Sequence, residues 1–240
     1  MNSIFSYESK PMQVLMFVGD LIILNAIYIL CCIPIFTIGA AQAGMFTAVR
    51  VLQDPEDDSS PTAAFFRGFR SGFGTITIAW GLLGLLFIVL AIAAALSTIL
   101  GLSVFMCVLP LCIVALFMSL LPAFHSRFGC TVRQLYRNVF LLLLCHPLRS
   151  IAAGALMWVP MVVFGFANLY TAMSSTLLWI TIYFSGAALF VNLFLNKPFN
   201  ELVEEFNRRQ EEAKKAAGIE DAPEEENSNK VFTDVPEDED

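Results

Sequence analysis

Long stretches without a charged residue decide what this chain can become. Asp, Glu, Lys and Arg are all absent from residues 71–126 and again from 150–196, and a third charge-free tract covers 21–49. A helix needs roughly 20 apolar residues to cross the hydrocarbon of a bilayer, so each of the two longer tracts holds two spans. Phe, Leu, Ile, Ala and Gly fill them without the alternation of a membrane barrel. The expected fold class is therefore all-α: a polytopic helical membrane protein. The composition agrees, since 57% hydrophobic against 15% charged residues lies outside the soluble norm.

Six transmembrane helices are expected, at about 11–33, 38–52, 73–96, 102–121, 149–168 and 176–195. Lys and Arg set the orientation. Arg50, Arg67 and Arg70 flank one loop, Arg127, Arg133, Arg137 and Arg149 another, and Lys197, Arg208 and Arg209 follow the last span. The turns near residues 36, 99 and 172 have none. The basic segments thus face the cytoplasm, and Lys10 puts the N-terminus there as well. If 38–52 does not span, five helices remain and the N-terminus lies outside.

The connections between spans carry their own pattern. In "SSPTAAFFRGFRSGF", Ser60 can cap a helix that has Pro61 at its first position. Phe65, Phe66, Phe69 and Phe73 are expected on one face, with Arg67 and Arg70 on another. In "TVRQLYRNVFLLLL", Val132, Leu135, Tyr136, Val139, Phe140 and Leu143 form a helical stripe opposite Arg133 and Arg137. Both segments read as cytoplasmic amphipathic helices at headgroup level, with Arg67, Arg70, Arg133 and Arg137 as candidate lipid or partner contacts. After a transmembrane domain at 1–198, residues 199–217 form another amphipathic helix whose Phe199 and Phe206 are further candidate contacts. Residues 218–240 read as a disordered acidic tail. Residues 201–240 hold 15 acids and 5 bases (net −10), whereas 1–200 hold 6 acids and 9 bases (net +3); together they give −7. The acidity belongs to the tail and not to the membrane body.

Several kinds of chemistry have no residues to run on. No Asp or Glu occurs between Ser59 and Asn200, which removes paired-carboxylate hydrolysis from the later spans. There is no phosphate-binding GxxxxGK[ST] loop and no HExxH. The six cysteines form no CxxC pair or zinc-type cluster. The chain is expected to be no enzyme and to hold no cofactor and no metal.

Two features in the first third stand out as candidate binding residues. Asp20 and Asn25 lie within the first span, where polar groups are costly and mark either a structural clamp or a ligand or proton site. Counted from the cytoplasmic end, Asp20 falls about 15 Å in, near the midplane. The second feature is the break "CCIPIFTIGAAQAGMF". Pro34 ends the first helix and Thr37 can cap the next. The Gly39/Ala43 and Ala40/Gly44 pairs permit close helix approach. This joint, expected at the outer face, is either a tight hairpin or a ligand site at the amides of a short helix. Asp20, Asn25, Thr37, Gly39 and Gln42 are the candidate binding set, with Asn168 and Asn192 as further polar lining.

The run "LNAIYILCCIPIFTIGAAQAGMF", followed by "FFRGFRSGF" and "CTVRQLYRNVFLLLLCHPLRS", resembles the YesL-like family of bacterial membrane proteins. The resemblance rests on an Asn-bearing span followed by P-x-x-T-[IL]-G-[AP]-A, matched at Asn25, Pro34, Thr37, Gly39 and Ala40. It implies no biochemical activity and no catalytic residues. It does imply a place beside carbohydrate uptake systems, often ABC importers. The expected function is thus a non-enzymatic accessory protein of the cell membrane. Its partners are the lipid bilayer and ABC sugar permease or ATPase subunits, with no nucleic acid. The alternatives are a small substrate-binding or transport subunit with a polar pocket around Asp20 and the 34–44 break, and a membrane scaffold.

Overall fold

A computed structural model describes residues 10–54, 57, 59–100, 105–166, 173, 176 and 179–216. All regular structure among them is helical. The elements are α1 (Lys10–Cys31), a 3-10 turn (Ile35–Thr37), α2 (Ile38–Gln53), α3 (Pro61–Arg70), α4 (Phe73–Ile99), α5 (Phe105–Phe128), α6 (Val132–Cys145), α7 (Pro147–Phe166), a π-helical turn (Trp179–Tyr183) and α8 (Phe184–Ala216). Five helical stretches are long and apolar enough to cross a membrane: α1, α2 with its 3-10 turn, α4, α5, and the π-turn with α8. The α6–α7 pair makes a sixth if its 115° bend is taken as one broken span. The span that could be dispensed with was expected at 38–52, but the structure moves that ambiguity to the α6–α7 bend.

The core is built around α2. From Gly39 to Val49 every residue except Gln42 is buried, and α2 packs against α1, α3, α4, α5 and α8. Small side chains permit this. A methyl group on Gly39 would stand 2.6 Å from Trp80 Cβ on α4, and one on Gly44 would stand 2.7 Å from the Phe65 carbonyl oxygen on α3. Gly68 meets Thr47 at the same crossing. Without a hydrophobic drive between helices in lipid, such close backbone approach and dispersion hold the pairs together.

The same contacts fix how far the α1–α2 joint reaches. Gly39 abuts Trp80, and Ile35 shares a cavity wall with Gly84, Phe87 and Ile88. These positions surround the middle of α4, whose 27 residues span about 40 Å at 1.5 Å per residue. From Ile88, α4 climbs another 11 residues to Ile99, about 16 Å. The joint is therefore level with the middle of α4 and not with its far end, where the sequence reading put it. The joint's side chains suit hydrocarbon: Ile33, Ile35 and Phe36 are 72%, 77% and 63% exposed. Asp20 moves with this correction. It lies 11 residues from Cys31, about 17 Å along α1, which brings it down to the end of the bundle that carries the arginines and away from the midplane.

That basic end is closed by α3 and α6. The N-terminal residue before α3, Ser60, has extended backbone with Pro61 following, but its side chain makes no capping hydrogen bond. Phe65 is buried while Phe66, one residue on and 100° around the helix, is 42% exposed, so the four phenylalanines do not share one face. On α6, Leu135, Val139 and Leu142 are buried and Phe140 faces outward. At its start, Thr131 donates from its N–H (3.2 Å) and its hydroxyl (2.9 Å) to Gln134 Oε1. The expected separate helix after the last span is instead the continuation of α8, which runs through Pro198.

Candidate functional site

The most informative side chain in the first span is Asn25. It is fully buried and faces the π-turn ahead of α8. Its Nδ2 donates to the carbonyls of Trp179 (3.0 Å) and Ile180 (2.6 Å), and its Oδ1 accepts from the Ser185 N–H at 3.1 Å. A π-turn shifts the ladder from i→i+4 to i→i+5 and releases backbone groups at the transition. In a bilayer no water stands ready to satisfy them. Asn25, from 154 residues upstream of Trp179, supplies both the donor and the acceptor that the turn needs. Its role in this structure is to hold α1 onto the start of α8.

Thr37 serves the other break, by a different route from the expected cap. The residue has helical backbone and no capping bond to α2. Its hydroxyl lies 2.5 Å from the Cys31 carbonyl oxygen and 2.6 Å from that of Pro34, sharing its proton between them. It therefore reaches back to the Cys31 carbonyl at the end of α1 and to the Pro34 carbonyl, which also accepts the Thr37 N–H at 2.9 Å.

Beside this joint, level with the middle of α4, is a cavity of about 560 Å³. Trp80 and Gly84 from α4, Trp158 from α7 and Trp179 from the π-turn line it, with Phe87 and Gln42. All three tryptophans of the chain meet here. Phe87 and Trp158 stack at 5.2 Å between centroids. Trp158 Nε1 donates to Ser119 Oγ (2.8 Å) and the Ala115 carbonyl (2.9 Å). Gln42 Oε1 and Trp80 Nε1 are buried without a hydrogen-bond partner.

The candidate binding set does not assemble. Gln42 alone of the five faces this cavity. Gly39 is filled from outside by Trp80, Asn25 and Thr37 are engaged with backbone, and Asp20 stands half-exposed with no bond to any of them. Asn168 lies outside the described residues. Asn192 belongs to a different cluster at the basic end. There Arg127 Nη2 donates to Asn192 Oδ1 at 3.0 Å and also to Asn196, while Asn192 donates to Gln53. Gln53 Nε2 in turn donates to the Leu189 carbonyl at 3.2 Å. This network ties α2, α5 and α8 together. Phe199 belongs to it as well: the Arg127 guanidinium sits 4.8 Å over its ring, and Phe199 is 1% exposed. It is therefore unavailable as the lipid or partner contact expected from sequence. The side chain of Phe206 lies outside the described residues.

Arg67, Arg70, Arg133 and Arg137 are exposed, as an interfacial role requires. His146 Nε2 lies 3.2 Å from the Glu201 carboxylate. Burial pushes the Cys130 thiol up to about 11, and hydrogen bonding from Ser59 holds the Asp57 carboxyl below its usual range. No group of three His, Cys, Asp or Glu suited to a metal ion occurs among the described residues.

The tryptophan cavity was not anticipated. A signal was present: Trp80 and Trp158 stand within spans and not at the interfacial belts where tryptophan is usual. The helix pairing that brings them together is not encoded in their spacing.

A family model described as a protein of unknown function, DUF624, matches residues 21–94. That stretch runs from α1 through the joint, α2 and α3 into α4, so it includes Asn25, Thr37 and Trp80. No curated protein and no solved structure matches the chain.

Proposed function

We propose that this chain is a non-enzymatic accessory protein of the cell membrane, with both termini in the cytoplasm, that works beside a carbohydrate ABC importer. The observation that carries this reading is the basic end. Four guanidiniums, Arg67, Arg70, Arg133 and Arg137, project from two short amphipathic helices, are exposed, and have no ion pair among the described residues. Such a surface suits anionic headgroups and the acidic patches of a permease or ATPase subunit. The YesL-like resemblance of the 25–46 region supplies the sugar-uptake context. The substrate-binding alternative draws less support. A sugar presents a hydroxyl on nearly every carbon, and the cavity at the joint is lined by apolar and aromatic residues apart from Gln42 and Ser119. Crosslinking of the tagged full chain in native membranes, followed by mass spectrometry, tests the reading. Recovery of a sugar permease, lost when Arg67, Arg70, Arg133 and Arg137 are changed to Glu, is the expected result. Absence of any importer subunit would overturn it.

A further inference from the structure

We propose that the exposed arginines of the basic end are a docking site for the chain's own acidic segment, residues 220–240. This rests on the arginine surface of the accessory reading but needs no importer, so failure of either leaves the other standing. Placement comes first. Arg67 and Arg70 close α3, which ends three residues before α4 begins. Arg133 and Arg137 sit on α6, whose Tyr136 hydroxyl donates to the Ala79 carbonyl at 2.6 Å. Ala79 is six residues into α4, about 9 Å from its start, so both arginine pairs gather around one end of one helix. All four side chains are exposed. Asp57 feels the Arg67 charge, and α3 to α7 contain no Asp or Glu to serve the other three.

Charge and reach then select the occupant. Residues 220–240 carry ten acids and one base, a net of −9. α8 leaves the bundle at the arginine end, because Phe199 lies under the Arg127 guanidinium there. The helix runs 17 residues further, to Ala216, about 26 Å, and the chain beyond must recross that distance to return. Glu224–Glu226 lie eight to ten residues past Ala216, at most about 26–36 Å when extended. Asp234–Asp240 lie 18 to 24 residues past it, and an unstructured chain of that length has a root-mean-square span of about 21–29 Å. Span and return distance coincide. That match maximises the effective concentration of a tethered segment, which is of millimolar order for short linkers.

The full chain, with its six cysteines replaced, is spin-labelled at Ala63→Cys on α3 and at Ser228→Cys in the acidic segment. Pulsed electron resonance reads the distance between the labels in phosphatidylcholine nanodiscs. At about 20 mM salt most of the distribution is expected within about 30 Å, and at about 1 M that short component should fall at least threefold. Changing Arg67, Arg70, Arg133 and Arg137 to Glu should remove it. Changing Glu224, Glu225, Glu226, Asp234 and Glu237 to Lys in that background should restore it, which a misfolded variant could not do. A distribution indifferent to salt, a short component that survives the arginine changes, or reversed charges that restore nothing would each overturn the proposal. The short component should also persist when about a third of the lipid is phosphatidylglycerol. Its loss there would give the arginines to headgroups and overturn the proposal as well.

Discussion

The two breaks in the helical bundle, 32–37 and 179–183, solve one problem in opposite ways. The first separates α1 from α2 and the second opens α8, and each leaves backbone groups where water cannot reach them. At the first, the remedy is local: Thr37 turns back on Cys31 and Pro34, six and three residues away. At the second, the remedy comes from another helix, when Asn25 bonds Trp179, Ile180 and Ser185. A local remedy stabilises only its own turn. A remote one couples folding of the break to docking of α1, so losing it costs both the turn and the helix pair.

The largest expected effect follows from that coupling. Asn25→Leu strips three backbone partners at once and should destabilise the purified protein by about 3 kcal/mol, read as a lower melting temperature. Asn25→Asp keeps the acceptor but not the donors and should fall between. If Asn25→Leu melts like the parent, the remote clamp is not what holds the π-turn. Next comes Gly39→Leu, which must push α2 away from Trp80 at about 1–3 kcal/mol. It should also shift tryptophan emission. Thr37→Val removes one shared hydroxyl and should cost about 1 kcal/mol, with Thr37→Ser restoring most of it. An effect of Thr37→Val equal to that of Asn25→Leu would erase the distinction between local and remote. The smallest effect belongs to Asp20→Asn, within about 0.5 kcal/mol, because Asp20 is half-exposed and near the basic end.

The contrast also explains what could be read in advance. The first break is written in adjacent residues: Pro34 removes a donor, Gly39 and Gly44 thin the helix, and the boundaries of α2 follow closely. Local chemistry is legible because its partners are neighbours in the chain. The π-turn left no such mark, since "WITIY" is ordinary apolar sequence and its partner lies more than 150 residues away. The depth of the joint was misplaced for a related reason. Counting residues from a loop assumes that every helix runs surface to surface, whereas the level of α2 is set by Gly39 against Trp80. Asp20 was misjudged along with it. Phe199 carried the amphipathic pattern of a surface helix, yet its ring lies among Phe124, Phe128 and Arg127. That burial depends on α8 continuing straight through Pro198.

Everything about the two breaks depends on their lying inside the hydrocarbon, so depth is the measurement that matters most. With the six native cysteines replaced, a spin label at Ile35→Cys in reconstituted bilayers should relax strongly with oxygen and weakly with a water-soluble nickel complex. A label at Ile99→Cys, on the far end of α4, should show the reverse. Ile35 deeper than Ile99 by more than about 10 Å, as the 1.5 Å rise per residue requires, is the predicted result. Equal nickel accessibility at the two sites would put the joint at the membrane surface and contradict the account.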